Sequence, residues 1–332
     1  TMETLLEAAT HELYTVQIRK VERIEYESID PGSFLGCRVK HFCFKAKHLR
    51  TGQVCLIDRE FCRSEAEHKN NIKKRVQREV SILRSLSCDH VINCIDVFEQ
   101  ENWIYRVYDS DSFPERHFGA AVEWDFKPET VRSIMRQLFI ALSHCHSKQI
   151  AHSYVKPRNL LLIPDNDREN ESYRVKLSVF DFAHHFLDDK YYPASDHFSW
   201  GFNGYYSPEL LLSETLSSNE MLIGDAASDI WAAGVTFVEL FSKQSIFSGD
   251  CKIDSIFKIF RQLGTPSNDS WPGVLNLPNY NSDFPRWNAI PWPKEARLRL
   301  NEEGLNLLGM LLFLDPKRRI TAQKALQHSY FK

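Results

Sequence analysis

The chain has 332 residues, of which 43% are hydrophobic and 26% are charged, a composition typical of a soluble globular protein. At roughly 150 residues per domain, this length predicts about two domains or lobes. The formal net charge of -3 provides no overall attraction to nucleic acid or to an anionic membrane. No apolar stretch approaches the roughly 18 residues of a membrane span, and residues 1–25 lack a signal-peptide core. We therefore expect neither a nucleic-acid nor a membrane partner.

The eight cysteines are scattered along the chain, without a CxxC pair. A chain of this length can bury about three quarters of its unfolded surface, so its core needs no disulfide or metal for stability. The cysteine pattern predicts reduced, mostly packed thiols in a cytoplasmic or nuclear protein.

The first half of the chain predicts strands and one strong helix. Runs of β-branched and aromatic residues bounded by turns predict strands at 15–26, 37–46, 53–57 and 103–108. Between them, apolar residues recur at steps of three and four, which predicts an amphipathic helix over 70–86.

From residue 127 onward the pattern is mainly helical. Amphipathic runs predict helices at 130–148, 228–241, 253–263, 302–312 and 322–327. Two short apolar stretches, 159–163 and 175–180, predict a hairpin whose polar tip is solvated. The expected fold class is α+β, with a small strand-rich lobe and a larger helical lobe.

Several motifs resemble those of eukaryotic protein kinases. The segment 152–160, His-Ser-Tyr-Val-Lys-Pro-Arg-Asn-Leu, stands where kinases carry the catalytic loop HRDLKPxNL. Residues 181–183 resemble the metal-binding motif DFG, and 207–209 resemble APE. The segments 247–250, 259–266 and 315–322 are similar to the cyclin-dependent kinases, which belong to the CMGC branch. These motifs keep their order from about residue 26 to residue 331.

The resemblance implies the bilobal protein kinase fold, in which a β-rich N-lobe carries one main helix. It divides the chain into an N-terminal extension (1–25), an N-lobe (26–110) and a C-lobe (111–332) with an insert of the cyclin-dependent-kinase type at about 245–295. The extension could add either a helix or a strand to the N-lobe.

The resemblance also assigns ATP binding to positions that this chain has changed. Gly36 is the glycine kept in the glycine-rich loop, while Arg38 and His41 replace two others and crowd the phosphates. Asp58 stands where a strand lysine binds ATP, and Leu56 replaces an alanine that roofs the adenine. We therefore expect the protein itself to fill the nucleotide pocket.

Glu79 and Tyr108 are further positions that the resemblance assigns to the nucleotide site. Glu79 matches the helix glutamate that pairs with the strand lysine, but Asp58 would repel it. Without a lysine partner, we expect Glu79 to be a solvated helix residue. The same helix carries Lys69 and the basic cluster 73–79, for which we expect a solvated face, with contact to an acidic partner as the alternative.

The catalytic positions have lost their base. Tyr154 stands where kinases carry the catalytic aspartate, and a phenol with a pKa of about 10 is neutral at physiological pH. Losing a general base removes roughly 10²–10⁴ in rate. Lys156 keeps the catalytic-loop lysine. Ser153 replaces the arginine that reads a phosphorylated activation loop, and His197 replaces the residue that would carry the phosphate.

The resemblance implies that this chain keeps two magnesium-binding positions and several structural residues of the family. Asn159 and Asp181 match the magnesium ligands, which matter only if nucleotide binds, and structural hydrogen bonding is an equal alternative. Ala183 replaces the glycine of DFG. The structural residues are a packed His152, an ion pair of Glu209 with Arg319, and Asp229 as anchor of the catalytic loop.

These observations favour a pseudokinase similar to the cyclin-dependent kinases, which acts as a protein-interaction or regulatory scaffold. Its partner would be another protein, such as an active kinase or a cyclin-like regulator. No cofactor is expected, with weak binding of ATP and Mg²⁺ as the alternative. An atypical Ser/Thr kinase that uses Lys40 or Lys45 is the competing interpretation, and nucleotide binding without catalysis is a third.

Overall fold

The structure, a computed structural model, describes much of the chain. The described residues are 16–22, 24–29, 41–62, 65–109, 116–117, 125–165, 172–186, 191–193, 203–213, 220–222 and 224–332. The chain divides into two compact units, each built from two segments. Unit 1 comprises Thr1–Val122 and Arg158–Asp188, and unit 2 comprises Glu123–Pro157 and Asp189–Lys332.

Most strands lie in the first half of the chain and most helices in the second half, and the predicted α+β class is confirmed. The strands are β1 (Arg19–Lys20), β2 (Tyr26–Ser28), β3 (His41–His48), β4 (Val54–Phe61), β5 (Cys94–Gln100), β6 (Trp103–Tyr108), β7 (Arg116–His117), β8 (Ile150–Ala151), β9 (Leu160–Pro164), β10 (Tyr173–Leu177), β11 (His184–His185), β12 (Tyr191–Pro193) and β13 (Glu220–Leu222). The helices are α1 (Ala66–Ser85), α2 (Pro128–Ser147), α3 (Pro208–Leu211), α4 (Ala226–Ser242), α5 (Lys252–Leu263), α6 (Lys294–Arg299), α7 (Glu302–Leu311) and α8 (Ala322–Leu326).

Unit 1 is built on a sheet with strand order β1-β5-β6-β4-β3-β2. One face of this sheet carries its apolar core, where Ile57, Phe98, Tyr105 and Val107 are buried together. Because side chains alternate along a strand, the residues next to these project from the opposite face. Asp58 and Arg106 therefore share the face of the sheet that carries contacts to α1.

Strand β5 is a strand that sequence analysis did not predict. Its pairing with β6 shifts register between Cys94 and Asp96, which marks a bulge. A bulge interrupts the two-residue alternation by which a strand is recognised. The omission therefore has a local cause in the backbone.

The described part of the N-terminal extension forms a strand rather than a helix. Arg19 and Lys20 of β1 pair in parallel with β5. Arg19 also binds Asp96 at 2.6 Å, and Gln77 of α1 donates to the carbonyl of Val16 at 3.0 Å. Residues 16–22 thus cover an edge of the sheet.

Unit 2 is organised around α4, which is buried along most of its length. Asp225 caps this helix by accepting a hydrogen bond from the backbone of Ser228 at 3.0 Å. A Cβ at Gly234 would lie 2.8 Å from a methyl carbon of Leu312, so the close packing of α4 requires glycine there. In the described part of the chain, no helix is long and apolar enough to span a bilayer, and no disulfide joins the cysteines.

Arg319 braces unit 2 through Glu209. The two guanidinium nitrogens donate to the two carboxylate oxygens at 2.7 and 2.9 Å. The same guanidinium donates to the carbonyl of Ala227 at 2.7 Å and lies over the ring of Trp231. The pair thus connects α3, α4 and the segment before α8, as the resemblance leads one to expect.

Replacing Arg319 by alanine should therefore destabilise the protein. Removing one partner of a buried ion pair costs about 3–5 kcal/mol, because the other charge stays buried without it. Thermal unfolding of Arg319→Ala should show a large fall in Tm. The exposed neighbour Lys317 provides a control, since Lys317→Ala should change stability by no more than about 0.5 kcal/mol. An unchanged Tm in Arg319→Ala would contradict the assignment of this brace.

Candidate functional site

Asp58 lies opposite an arginine on the neighbouring strand. In the pairing of β4 with β6, Asp58 is the register partner of Arg106. The guanidinium of Arg106 is completely buried and donates to one carboxylate oxygen of Asp58 at 2.6 and 3.0 Å. The family resemblance places a lysine at position 58. This chain has an aspartate there instead, and the positive charge comes from Arg106 on the neighbouring strand.

Glu79 joins the same cluster, and the expectation that it is solvated is wrong. Glu79 is only 1% exposed, and its carboxylate lies 3.5 Å from the guanidinium of Arg106. Glu60 also accepts from Arg106, at 3.2 Å. Sequence reasoning placed Glu79 in water because Asp58 removed its lysine partner, but Arg106 supplies the positive charge from a different strand.

The three carboxylates hold Arg106 in its charged form. Burial lowers the pKa of Arg106, but the charges of Asp58, Glu79 and Glu60 outweigh that effect and raise the pKa well above its usual value. A buried guanidinium that stays charged requires hydrogen-bonding partners around it. The cluster therefore functions as one electrostatic unit.

A second arginine, Arg75, forms an ion pair with the carboxylate of Asp181. One guanidinium nitrogen lies 2.8 Å from Asp181, and the other binds Glu60. Both side chains are largely buried, 15% exposed for Arg75 and 6% for Asp181. In addition, Arg78 donates to the backbone carbonyl of Asp181 at 3.1 Å. Helix α1 is thus attached to the segment that resembles DFG.

The expectation of a solvated basic face on α1 is also wrong for most of its residues. Lys69 and Lys73 each bind Glu99 of β5 at 2.6 Å. Arg75 faces the interior, and Lys74 is exposed. The partner of Lys69 and Lys73 lies on strand β5, and those of Arg75 lie on β4 and at Asp181. The local sequence pattern of the helix does not reveal these partners.

The residues around Asp181 do not fit a magnesium ion. Mg²⁺ binds carboxylates and water in an octahedral shell, whereas the Asp181 carboxylate here binds a guanidinium that is always charged. Asn159 is buried, and its backbone carbonyl accepts hydrogen bonds from the amide and the hydroxyl of Ser178, both at 2.9 Å. Among the described residues, no cluster of three or more His, Cys, Asp or Glu side chains is arranged to hold a metal ion.

Leu56 and Tyr108 face each other across β4 and β6. They are register partners, and they are 4% and 5% exposed. Burial, and then the charge of Glu79, raises the pKa of Tyr108 well above its usual value, so its phenol is neutral. Leu56, which the resemblance assigns to the adenine site, and Tyr108, which it assigns to the nucleotide site, are therefore both buried within unit 1.

In unit 2, Asp229 anchors the loop that resembles the catalytic loop. Its two oxygens accept hydrogen bonds from the backbone amides of His152 and Ser153, both at 2.8 Å. His146 contacts the same carboxylate at 3.0 Å. Burial alone would raise the pKa of Asp229, but the contacts of His146 and His152 lower it below its usual value. Asp229 therefore remains a charged anchor, and His152 is fully buried as expected.

Tyr154 is bound by Lys156 within this loop. The ammonium group of Lys156 donates to the phenol oxygen at 2.9 Å and lies 4.0 Å from the ring centre. The backbone amide of Tyr154 donates to the ring of His152 at 3.2 Å. The residue in the position of the catalytic base thus accepts a hydrogen bond from the residue in the position of the catalytic lysine.

Several predicted positions lie outside the described residues. These are Gly36, Arg38 and His197, together with the side chain of His41. By contrast, sequence reasoning missed Arg106 and assigned Arg75 to a solvated face, although the geometry of unit 1 depends on both. Arg106 interrupts the otherwise apolar strand 103–108, and that irregularity was the available signal.

Replacing Arg106 by leucine should severely destabilise the protein. Three carboxylates would stay buried without their shared cation, at a cost of about 3–5 kcal/mol. Denaturant unfolding measures this loss, and the exposed Arg84 provides a matched control. Arg84→Leu should change stability by no more than about 0.5 kcal/mol.

A charge exchange tests the origin of that loss. In the double variant Asp58→Lys with Arg106→Leu, a lysine on β4 replaces the cation and one carboxylate disappears. We expect this protein to be more stable than Arg106→Leu alone, with a coupling that the two single variants do not predict by addition. Strict additivity would show that position 58 and Arg106 do not act as a pair.

A comparison with known families agrees with this architecture. The family model described as the protein kinase domain matches residues 41–331 of the chain. The match covers most of both units and includes Asp58, Glu79, Asp181 and Asp229. The α+β architecture, with its strand-rich and helical parts, is the bilobal protein kinase fold. The chain therefore belongs to the protein kinase domain family.

Proposed function

We propose that this protein is a pseudokinase of the cyclin-dependent-kinase-like, CMGC branch, which acts as a protein-interaction or regulatory scaffold. One observation carries the proposal. The carboxylates of Asp58 and Asp181 are each bound by a largely buried arginine of the same chain. These are the positions to which the family resemblance assigns the ATP lysine and a magnesium ligand. Their carboxylates therefore pair with arginines of the same chain.

The loss of the catalytic base supports the same conclusion. Phosphoryl transfer depends on positioning and on charge stabilisation, and it requires a residue that orients the substrate hydroxyl. Tyr154 places a phenol where the family has an aspartate carboxylate, and its oxygen accepts a hydrogen bond from Lys156. A phenol is therefore not equivalent to the carboxylate that the family uses as its base.

The assignment to the CMGC branch rests on the tail of the chain. Gly264 has a φ of 89° at the end of α5, a conformation that favours glycine and suits the Gly-Thr-Pro motif at 264–266. Arg319 of the Asp-Pro-Lys-Arg-Arg motif forms the brace with Glu209. These features support a retained scaffold.

An atypical active kinase is the second candidate function. It would need another lysine for the phosphates, and Lys45 has a place in the described sheet. Lys45 pairs in register with Leu56 on β4, not with Asp58. Lys40 lies outside the described residues. Nucleotide binding without catalysis is the third candidate, and a binding measurement separates it from the first.

The scaffold proposal includes a protein partner and a cytoplasmic or nuclear location. An active kinase or a cyclin-like regulator is the kind of partner that the family suggests. Nucleic acid and membranes are not among the proposed partners, in keeping with the net charge of -3. No cofactor is assigned, and any binding of ATP with Mg²⁺ would be weak.

ATP with Mg²⁺ should bind weakly or not at all. Leu56 and Asp58 change the adenine and phosphate positions, so the defects extend along the whole ligand. A thermal-shift titration should show little or no stabilisation up to millimolar ATP, because stabilisation by a ligand becomes appreciable only as its concentration approaches its dissociation constant. A dissociation constant in the low micromolar range would contradict the filled pocket.

The protein should not transfer phosphate, and no single reversion should restore transfer. Tyr154→Asp would still face the altered charge at position 58, and Asp58→Lys would still lack a base and would meet Arg106. Groups that act as a unit give non-additive losses, so repairing one leaves the others limiting. The assay is incorporation of labelled phosphate, with Mg²⁺ or Mn²⁺, into a basic substrate and into the protein itself.

The comparison set includes the natural chain, each single reversion and a combined variant. The combined variant carries Tyr154→Asp, Asp58→Lys, Arg106→Leu, Leu56→Ala, Arg38→Gly, His41→Gly and Ala183→Gly. Its folding is checked by circular dichroism before the assay. Clear turnover by the natural chain that Asp181→Ala abolishes would establish an active kinase and overturn the proposal.

A further inference from the structure

The guanidinium of Arg75 binds the carboxylate of Asp181, the position to which the family resemblance assigns a magnesium ligand. Arg75 projects from α1 one helical turn before Glu79, on the same face of the helix. Its guanidinium contacts Asp181 at 2.8 Å and Glu60 of β4 through different nitrogens. One side chain thus connects the helix, the sheet and the segment that resembles DFG.

We infer that Arg75 is a tethered internal cation that takes the place of a divalent metal at Asp181. Three properties of the contact carry the inference. The guanidinium cannot lose its proton in a protein. It is largely buried, so solvent screens it weakly. Its position is also supported from the other side, because Glu60 binds Arg75 and Arg106 through opposite carboxylate oxygens.

The electrostatic environment supports this arrangement. The carboxylates of Glu60 and Asp181 surround the guanidinium of Arg75 with negative charge. A dication that approached Asp181 would have to displace this cation or tolerate its repulsion. Because Arg75 is covalently part of the chain, it needs no binding from solution to neutralise Asp181. The segment at Asp181 is therefore held to α1 without metal or nucleotide.

The inference deepens the proposed function, on which it rests for the meaning of Asp181. It also yields a result that loss of catalysis alone does not predict. Removing the arginine should uncover a metal site rather than merely damage the protein. Metal binding is measured directly, without phosphate transfer, so a failure of this inference and a failure of the pseudokinase proposal can be told apart.

The experiment compares Mn²⁺ binding by the natural chain and by Arg75→Gln, using the electron paramagnetic resonance signal of unbound Mn²⁺. We expect Arg75→Gln to bind Mn²⁺ at least about tenfold more tightly than the natural chain, a difference of about 1.4 kcal/mol. Adding Asp181→Asn to Arg75→Gln should abolish the gain. Lys73→Gln, which removes a cation of α1 that binds Glu99 instead, is the matched control and should leave Mn²⁺ binding unchanged.

Equal Mn²⁺ binding by the natural chain and a folded Arg75→Gln variant would overturn the inference. So would a gain that survives Asp181→Asn. If Arg75→Gln does not fold, the natural chain carrying only Asp181→Asn decides the matter. With Arg75 as the internal cation, this substitution should lower Tm in metal-free buffer, and Mn²⁺ should not change the Tm of the natural chain. An unchanged or higher Tm in Asp181→Asn, or stabilisation of the natural chain by Mn²⁺, would reject the inference.

Discussion

The buried guanidinium of Arg106 is the interaction on which unit 1 depends. Its position is set by the register of β4 and β6, which places it beside Asp58. From there it contacts carboxylates on the sheet and on helix α1. A charge removed from water at this depth is tolerated only when its surroundings supply compensating charge and hydrogen bonds. The sheet and the helix must therefore keep these positions for Arg106 to be stable.

Glu60 extends this constraint to the segment that resembles DFG. One of its oxygens binds Arg106 and the other binds Arg75, which in turn binds Asp181. Contacts that share a partner do not contribute independently to stability. Changes at Asp58, Glu60 or Asp181 should consequently be coupled, even though these residues lie on different elements. This coupling is a physical reason to expect that a single substitution at Asp58 would disturb the rest of the cluster.

Sequence reasoning succeeded where the information is local and repeated. The apolar steps of three and four predicted a helix over 70–86, and the structure has Ala66–Ser85. The strand predicted at 103–108 is Trp103–Tyr108. Strand β5 escaped because a bulge interrupts its alternation. Periodicity therefore predicts an element well only where its backbone is regular.

The candidate site was predictable in its unusual residues but not in their partners. The family motifs identified Asp58, Tyr154 and Asp181 as positions to examine. The partner of Asp58 depends on the pairing of two strands that are distant in sequence, and the partner of Asp181 depends on how α1 packs. Glu79 shows the consequence most clearly. It was expected in water because position 58 carries an anion, yet it is buried against Arg106.

The charged cluster also bears on why the fold keeps one register. Replacing a buried ion cluster by apolar residues of similar size is often neutral or stabilising, so stability alone does not explain such a cluster. A slip of one residue between strands moves every side chain to the other face of the sheet. Here a slip of β6 against β4 would carry Arg106 into the apolar core formed by Ile57 and Val107. It would also leave Asp58 and Glu79 without their cation.

The cluster therefore penalises the wrong pairing far more strongly than apolar residues would, and it defines the position of α1 through the same contacts. Such a network selects one arrangement of β4, β6 and α1, because every other arrangement leaves buried charges uncompensated.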